Sequence, residues 1–370
     1  MAEAPKPSGI RAVFDRALQL EAEGREIVHL EIGRPHVGSP EVAVQAARAA
    51  LASGDVHYTA NRGIPSLRAA LAERLPYDPA TEIVVTTGGS EAVFAAFRGL
   101  LQPGDEVLVP TPAWPHYDAL ARLVGAVPVL VPCRAEDGFA PDPAALAAAV
   151  SPRTRMVVVS SPSNPTGAVF GRHTLEQLAA LCRDRDLVAL SDEIYRRFAD
   201  DHVSIATLDG MRERTVIADS CSKTYAMTGW RVGWIAAPEA LMGPIATVHQ
   251  YVAVCAPSFA QAGAEAAIRH AEPFVAALTA EYAQRRATVR DRLAAAPGIE
   301  LPAADGAFYA FPRISGAGPG FAGRLLEERG VAVVPGEVFG PGLEDHVRLS
   351  YGVSAAQLDA GLDGLIAAVA

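Results

Sequence analysis

The sequence predicts an α/β fold: a mostly parallel, seven-stranded sheet with helices on both faces, joined to a smaller α+β domain. From about residue 83 onward, short runs rich in β-branched residues alternate with helical patterns. The runs are apolar throughout, which is typical of strands that are buried on both faces. The predicted strands are 83–87, 107–109, 127–131, 156–160, 187–190, 215–218 and 232–236.

Helical patterns fill several gaps between these strands, at 91–101, 174–185 and 239–251. The stretch 240–264 has no formal charge and is long enough to cross a membrane, but it contains Pro244 and Pro257. We therefore expect two buried helical pieces around a loop rather than a membrane-spanning helix.

The pattern changes after about residue 270, where a long helix rich in Arg and Glu is predicted at 273–296. Short strands and helices follow, and the chain ends in a helical pattern at 355–369. Residues 10–30 predict a helix and a short strand that could join either domain. We predict three parts, which are an N-terminal segment (1–40) packing with the small domain, a large domain (41–270) and a small C-terminal domain (271–370).

Composition excludes several classes of protein. Of the 370 residues, 50% are hydrophobic and 20% are charged, so the chain has ample apolar surface for a large core and is not disordered. The net charge of −10 argues against a general binder of nucleic acids or anionic membranes. The first residues lack the apolar segment of a secretory signal, and the four cysteines are dispersed. We expect a cytoplasmic protein with reduced thiols and no metal site.

Lysine usage singles out one residue. Lys and Arg together number 32, and only Lys6 and Lys223 are lysines. Lys6 lies in a polar, proline-containing tail, so Lys223 is the only lysine in the predicted folded body. Arginine replaces lysine on most surfaces, but it cannot supply a neutral primary amine. An amine that acts as a nucleophile must stay lysine.

Polar motifs follow four of the predicted strands. In parallel sheets the carboxyl ends of the strands lie at one edge, where ligands bind. Each motif has an ordinary structural explanation, such as a helix N-cap or a rigid proline turn. The four together favour a binding site that combines phosphate donors, an amide, a carboxylate with a phenol, and a lysine. The motifs are Gly-Gly-Ser-Glu at 88–91, Ser-Pro-Ser-Asn-Pro-Thr-Gly at 161–167, Ser-Asp-Glu-Ile-Tyr at 191–195 and Asp-Ser-Cys-Ser-Lys at 219–223.

The same motifs resemble those of the class I/II aminotransferases, fold-type-I enzymes that use pyridoxal 5′-phosphate (PLP). The resemblance covers about 32–350 and is carried by GGSEAVF, SPSNPTG, SDEIY, DSCSKTYAMTGWRVGW and HVRLSYG. It implies a fold-type-I PLP-dependent transferase whose large domain, 41–270, binds the cofactor. The motifs are much less specific for the substrate, because aspartate and aromatic aminotransferases share them.

The resemblance implies roles around the cofactor ring. Lys223 would form the Schiff base with PLP and shuttle the substrate proton. Asp192 would face the pyridine nitrogen, although a helix N-cap is the plain alternative. Tyr195 and Asn164 would hydrogen-bond the ring oxygen, and Trp114 would stack on the ring. Core packing is a fair alternative for Tyr195 and for Trp114.

The resemblance also implies a phosphate site. Its donors would be Gly89, Ser90, the backbone N–H of Glu91, Ser220 and Arg231, whose planar fork suits a phosphate dianion. A second subunit would add one more donor. Tyr58 matches the tyrosine that reaches the phosphate of the other subunit, which implies a homodimer with a composite active site.

Substrate contacts follow in the same way. Arg348 matches the arginine that binds the substrate α-carboxylate, with Gly33, Trp114 and Asn164 nearby. After Gly33 the family often has Glu-Pro-Asp, whereas this chain has Arg-Pro-His at 34–36. Arg34 and His36 could meet a distal carboxylate, as in aspartate or glutamate. A surface salt bridge is the alternative for Arg34.

We interpret the chain as a PLP-dependent aminotransferase that moves an amino group between an L-amino acid and a 2-oxo acid by a ping-pong mechanism. The motifs leave open another PLP reaction on an amino acid, such as β-elimination or oxidation. A PLP-sensing transcription regulator would need a DNA-binding head, and the residues before Gly33 show no basic helix-turn-helix pattern. A non-catalytic interaction protein is opposed by the retained Lys223.

Overall fold

The computed structural model describes residues 9–54 and 56–369, so the predicted tail around Lys6 lies outside the described residues. The strands in chain order are β1 Val28–His29, β2 Ile83–Thr86, β3 Glu106–Thr111, β4 Val127–Pro132, β5 Thr154–Ser160, β6 Val188–Asp192, β7 Thr215–Ser220, β8 Gly233–Ala236, β9 Ile299–Glu300, β10 Tyr309–Ala310, β11 Arg313–Ile314, β12 Val331–Ala332, β13 Val334–Pro335 and β14 Val347–Ser350. All seven predicted strands are present, as β2 to β8.

These seven strands form one sheet, in the spatial order β2-β8-β7-β6-β5-β3-β4. Strands β3 to β7 pair in parallel, whereas β8 is antiparallel to both of its neighbours. The mostly parallel sheet of the predicted α/β fold is therefore confirmed. Six strands end at the same edge of the sheet, and β8 runs in the opposite direction between β2 and β7.

The helices are α1 Gly9–Ala22, α2 Glu41–Ala52, α3 Pro65–Ala72, α4 Gly89–Leu100, α5 His116–Leu123, α6 Pro143–Ala149, α7 Arg172–Asp184, α8 Cys221–Thr224, α9 Glu239–Val252, α10 Ser258–His270, α11 Glu272–Ala294, α12 Phe321–Arg329 and α13 Ala355–Ala367. The uncharged stretch forms α9 and the start of α10, which confirms the two predicted pieces. None of the helices within the described ranges is long and apolar enough to cross a membrane.

Helices cover both faces of the sheet because successive strand residues point to opposite sides. Val84 packs in a core with α4, α5 and α9. Its neighbour Val85 packs in a second core with α2, α3 and α10. On that second side, α6 and α7 cover Val157 and Val159 of β5. Burial on both faces explains why these strands are apolar throughout.

The C-terminal part forms its own core around a three-stranded sheet, in the order β10-β14-β13. The long helix α11 has Pro273 in its first turn, where a missing N–H costs nothing. The N-terminal segment adds to this part, because β1 pairs in parallel with β12 through Val28 and Val331. The boundaries predicted near residues 40 and 270 stay predictions.

Candidate active site

One cavity, of about 410 Å³, lies at the carboxyl edge of the sheet. The polar motifs that end β2, β5, β6 and β7 all reach it, as the strand order requires. The predicted site residues that line it are Gly33, Gly89, Ser90, Trp114, Asn164, Asp192, Tyr195, Lys223, Arg231 and Arg348.

Lys223 lies in α8, a single helical turn that directly follows β7. Its Nζ donates a hydrogen bond to the carbonyl oxygen of Gly33 at 2.5 Å. Burial, as the largest cause, and the nearby Arg348 and Arg231 lower the pKa of Lys223 to about 8, while Asp192 opposes them. About one-tenth of this amine is therefore neutral at pH 7, far more than for an exposed lysine.

Asp192 is the last residue of β6, and its carboxylate is buried at the cavity wall. The Tyr117 hydroxyl donates to its Oδ2 at 2.5 Å, and the backbone N–H of Ile194 donates to its Oδ1 at 3.2 Å. Burial raises the pKa of Asp192, and the Tyr117 hydrogen bond works in the opposite direction. The residue is thus an oriented carboxylate that faces into an enclosed space.

Arg348 enters the site from β14 and is almost completely buried. Its Nη1 donates to Asn164 Oδ1 at 3.0 Å, and its Nη2 donates to the carbonyl oxygen of Glu31. Its guanidinium carbon lies 4.7 Å from the centre of the Tyr309 ring. Its Nε is buried and has no hydrogen-bond partner among the described residues. A buried guanidinium with an unused N–H fits an anion that binds in the cavity.

Two tyrosines form a second wall. The hydroxyl groups of Tyr195 and Tyr309 are 2.6 Å apart, and their rings meet edge to face. The Tyr309 hydroxyl also packs so closely on Gly33 that a Cβ at that position would collide with it. Position 33 requires glycine because the Tyr309 phenol contacts the backbone there.

The predicted phosphate site lies between the start of α4 and Arg231. Gly88 and Arg231 both have positive φ angles, 89° and 58°. A Cβ on Gly88 would collide with the Arg231 guanidinium. Arg231 Nη1 donates to the Thr228 carbonyl at 2.9 Å, which fixes the side chain beside Gly88. Glycine here thus leaves room for a cation next to the helix N-terminus.

Two other predicted phosphate contacts, Ser220 and the backbone N–H of Glu91, belong to residues outside the cavity lining. The Ser220 hydroxyl is buried and accepts the N–H of Ser222 at 3.1 Å, so it caps α8. The Glu91 side chain accepts hydrogen bonds from the Thr87 N–H and hydroxyl, whereas the predicted phosphate donor is the Glu91 backbone N–H. Neither residue lines the cavity, and their phosphate contacts stay predictions.

Tyr58 and Arg34 also lie outside the cavity lining. Tyr58 is 85% exposed, and Arg34 is exposed too. His36 Nδ1 lies 3.2 Å from the Tyr282 hydroxyl, and its Nε2 lies 3.1 Å from the Arg285 guanidinium, so the His36 ring is engaged by these two residues of α11. The structure does not bring Arg34 or His36 to the site, and their contact with a substrate stays a prediction.

Sequence reasoning missed several residues that line the cavity. Tyr117, in the first turn of α5, follows Trp114 by three residues, and this nearness in sequence to a predicted site residue was a usable signal. His116 stacks on Trp114, with the ring centres 4.0 Å apart and the planes at 9°. Tyr309 and Arg11 come from distant segments, and no local pattern marked them.

These residues fit the PLP that the resemblance implies. The cavity has a carboxylate for a protonated ring nitrogen in Asp192, and an amine for the aldehyde in Lys223. Arg231 beside the start of α4 suits the phosphate, and the unpartnered Nε of Arg348 suits a carboxylate. Charge type, burial and enclosure therefore all match.

Comparison with known proteins agrees with this chemistry. The chain is 39% identical to an aspartate aminotransferase of Pyrococcus horikoshii, over 95% of this chain and 92% of the relative. It is also 39% identical to the arginine–pyruvate transaminase AruH of Pseudomonas aeruginosa, over 93% of this chain and 90% of the relative. The solved structure of aspartate aminotransferase from Thermus thermophilus with maleate superposes with a TM-score of 0.93 at 38% identity, covering 98% of this chain and 97% of that one.

The family described as aminotransferase class I and II matches residues 25–365, nearly the whole chain. The match includes both walls of the cavity and every lining residue except two on α1. The protein therefore belongs to the class I and II aminotransferases, the PLP-dependent enzymes of fold type I.

Proposed function

We propose that this chain transfers the amino group of an L-amino acid to a 2-oxo acid in a ping-pong reaction, with Lys223 as the residue that binds PLP and moves the substrate proton. One observation carries the proposal, namely the Lys223 amine in the cavity with its pKa lowered to about 8. About one-tenth of such amines are neutral at pH 7, and a neutral amine acts as nucleophile and as base.

When bound, PLP supplies an electron sink that spreads the negative charge left at the substrate Cα. Asp192 would hold the proton on the ring nitrogen, and Tyr117 orients that carboxylate through its 2.5 Å hydrogen bond. Lys223, once free, takes the proton from Cα as a general base. The Lys223 amine donates a hydrogen bond to the Gly33 carbonyl and so lies at the part of the cavity that Gly33 lines.

Arg348 and Asn164 would position the substrate. The Arg348 guanidinium is held by Asn164 and by the Glu31 carbonyl, while its Nε–H has no acceptor within residues 9–54 and 56–369. An α-carboxylate that binds there gains a charged hydrogen bond in a buried setting. Holding the α-carboxylate fixes Cα relative to Lys223, and that positioning is part of the rate enhancement.

We also propose that the active protein is a cytoplasmic homodimer. Tyr58 and Tyr251 are each 85% exposed, and Val252 and Val254 are 55% and 47% exposed. Asn61 Nδ2 donates to the Val254 carbonyl at 2.9 Å, so the loop that carries Tyr58 adjoins the end of α9. Exposed apolar side chains gathered in this way favour burial against a second copy.

The test follows the amino group itself. Purified protein is incubated with PLP, a series of amino acids labelled on nitrogen, and a 2-oxo acid. We expect the label to appear in a new amino acid derived from the 2-oxo acid, with one oxo acid released from the donor. Ammonia release without labelled product would instead indicate elimination or oxidation, and would contradict the proposal.

Substitutions at Lys223 provide the control. Lys223→Ala and Lys223→Arg should each lower turnover by at least about 10²- to 10⁴-fold, because neither side chain offers a neutral amine. Both variants should still bind PLP noncovalently, since the other lining residues are unchanged. Turnover of Lys223→Ala near the wild-type rate would show that the assignment is wrong.

A further inference from the structure

One cation at the cavity has no role in the chemistry above. Arg11 lies in the first turn of α1 and lines the cavity, next to Ile10. The other Lys and Arg residues in the lining are Lys223, Arg231 and Arg348. These three are accounted for by PLP, its phosphate and the α-carboxylate, which leaves Arg11.

Arg11 is weakly held in its present position. Two contacts hold it: its Nε lies 3.1 Å from Asp15 Oδ1, where the two side chains are 67% and 54% exposed, and its guanidinium carbon lies 4.9 Å from the centre of the Phe14 ring. Exposed ion pairs of this kind contribute little to stability. On a helix, the order in which arginine precedes the acidic residue is the weaker of the two. A positive charge in the first turn also opposes the helix dipole. Rotating the Arg11 guanidinium into the cavity gives up the Asp15 pair and the Phe14 contact, both of which are weak at exposed sites.

The surroundings of Arg11 suit a substrate with an apolar stem and an acidic end. Ile10 and Ile32 line the cavity together with Arg11 and add apolar surface. A dicarboxylic amino acid carries two carboxylates, and Arg348 takes only one of them. Arg231 is held beside Gly88 by its hydrogen bond to the Thr228 carbonyl, at the predicted phosphate site. Arg34 is exposed outside the lining, so it is the poorer candidate for the second carboxylate.

We infer that Arg11 binds the distal carboxylate of a dicarboxylic amino acid, or of the corresponding 2-oxo acid, and so sets the acidic substrate class of this enzyme. The inference rests on the proposed function, because it assumes that Arg348 holds the α-carboxylate. It assigns to α1, outside the large sheet, a direct part in substrate recognition.

Binding of unreactive acids to the PLP-loaded protein tests this without turnover. Maleate has two carboxylates and crotonate has one, so their affinities are compared by calorimetry in wild type and variants. Arg11→Ala should weaken maleate by about 10- to 150-fold, the range for a charged hydrogen bond, and change crotonate less than about threefold. Asp15→Asn removes the competing carboxylate and should tighten maleate by about twofold.

A matched control comes from the exposed Arg172–Glu176 pair on α7, which has the same i, i+4 spacing. Arg172→Ala should leave both affinities unchanged. Equal weakening of maleate and crotonate by Arg11→Ala, or no maleate binding by wild type, would overturn the inference. Selective loss of maleate in Arg34→Ala alone would assign the role to Arg34 instead.

The two proposals fail separately. If Arg11→Ala selectively loses maleate but no labelled nitrogen is ever transferred, the proposed function fails and the carboxylate site stands. If labelled nitrogen is transferred and Arg11→Ala leaves the maleate affinity unchanged, only the inference about Arg11 fails.

Discussion

The Lys223 amine lies close enough to Arg231, Arg348 and Asp192 for all three to change its pKa. Burial and the two guanidinium groups favour the neutral amine, and the carboxylate favours the charged one. An ordinary lysine pKa is lowered here to about 8. The site thus makes its nucleophile available without a separate base.

Lys223 should therefore set the pH dependence of cofactor capture. Below about pH 8, the rate at which cofactor-free protein binds PLP covalently should rise about tenfold per pH unit. The reason is that the neutral fraction of the Lys223 amine rises about tenfold per pH unit in that range. Above that pH the rate should level off. Stopped-flow absorbance of the bound cofactor measures it, and a break near the ordinary lysine pKa would contradict the shift.

Tyr117 should act through Asp192 rather than on the substrate. Tyr117→Phe removes the hydrogen bond that favours the ionised carboxylate, so the pKa of Asp192 should rise. The acid limb of the kcat/KM profile should then move to higher pH, and kcat should fall by about 10- to 150-fold.

The control for Tyr117 is Tyr351→Phe. Tyr351 is another buried tyrosine, whose hydroxyl donates to the Ala307 carbonyl at 3.3 Å in the small-domain core. That change should lower stability without moving the acid limb. An acid limb that stays in place in Tyr117→Phe would make Tyr117 a packing residue only.

At the scale of elements, the start of α4 is fixed by a buried carboxylate. Glu91 accepts from Thr87, at the end of β2, and lies 2.7 Å from Nδ1 of His249 on α9. His249 Nε2 in turn lies 2.9 Å from the carbonyl oxygen of Asn61. The Glu91 and His249 side chains thus connect the predicted phosphate site to the loop that carries Tyr58.

Glu91→Gln should destabilise the fold by about 1–3 kcal/mol near neutral pH, because buried donors lose a charged acceptor. Burial alone would raise the pKa of Glu91, but hydrogen bonds from His249 and Thr87 hold this pKa below its ordinary value. A carboxyl group whose pKa is lowered by folding stabilises the fold at every pH above its unfolded-state pKa. This stabilisation is lost as the pH falls through the folded-state pKa. The difference between wild type and Glu91→Gln should therefore shrink in acid. Urea unfolding at several pH values checks this, and a constant difference would contradict it.

At the scale of the whole molecule, the single chain leaves Tyr58 outside its own cavity. If Tyr58 serves the partner's site, inactive chains should complement each other. Mixing Lys223→Ala with Tyr58→Ala should restore about one quarter of the wild-type activity, because half of the dimers are mixed and each has one intact site. Turnover after subunit exchange measures the recovery.

The matched mixture replaces Tyr58→Ala with Arg231→Ala. Arg231 lines the cavity of its own chain, so no mixed dimer has an intact site and no recovery is expected. Recovery in this mixture, or its absence with Tyr58→Ala, would refute the assignment of Tyr58 to the partner's site.

The sequence by itself determined the sheet and the edge at which the site forms. Apolar runs and helical patterns are local properties, and the polar motifs meet because parallel strands end together. Lys223, Asp192 and Asn164 could be found in this way, since each lies at the end of a strand or shortly after it. The antiparallel course of β8 was not evident from its apolar run, because such a run carries no direction.

Only the tertiary structure decided which distant side chains complete the site. Tyr117 meets Asp192 across 75 positions, and Tyr195 meets Tyr309 across 114. Arg34 adjoins Gly33 in sequence yet lies outside the cavity, whereas Arg11 reaches it from α1. The reason is physical: strand and helix periods fix where a side chain points within its element, but contacts between elements depend on how the whole core packs.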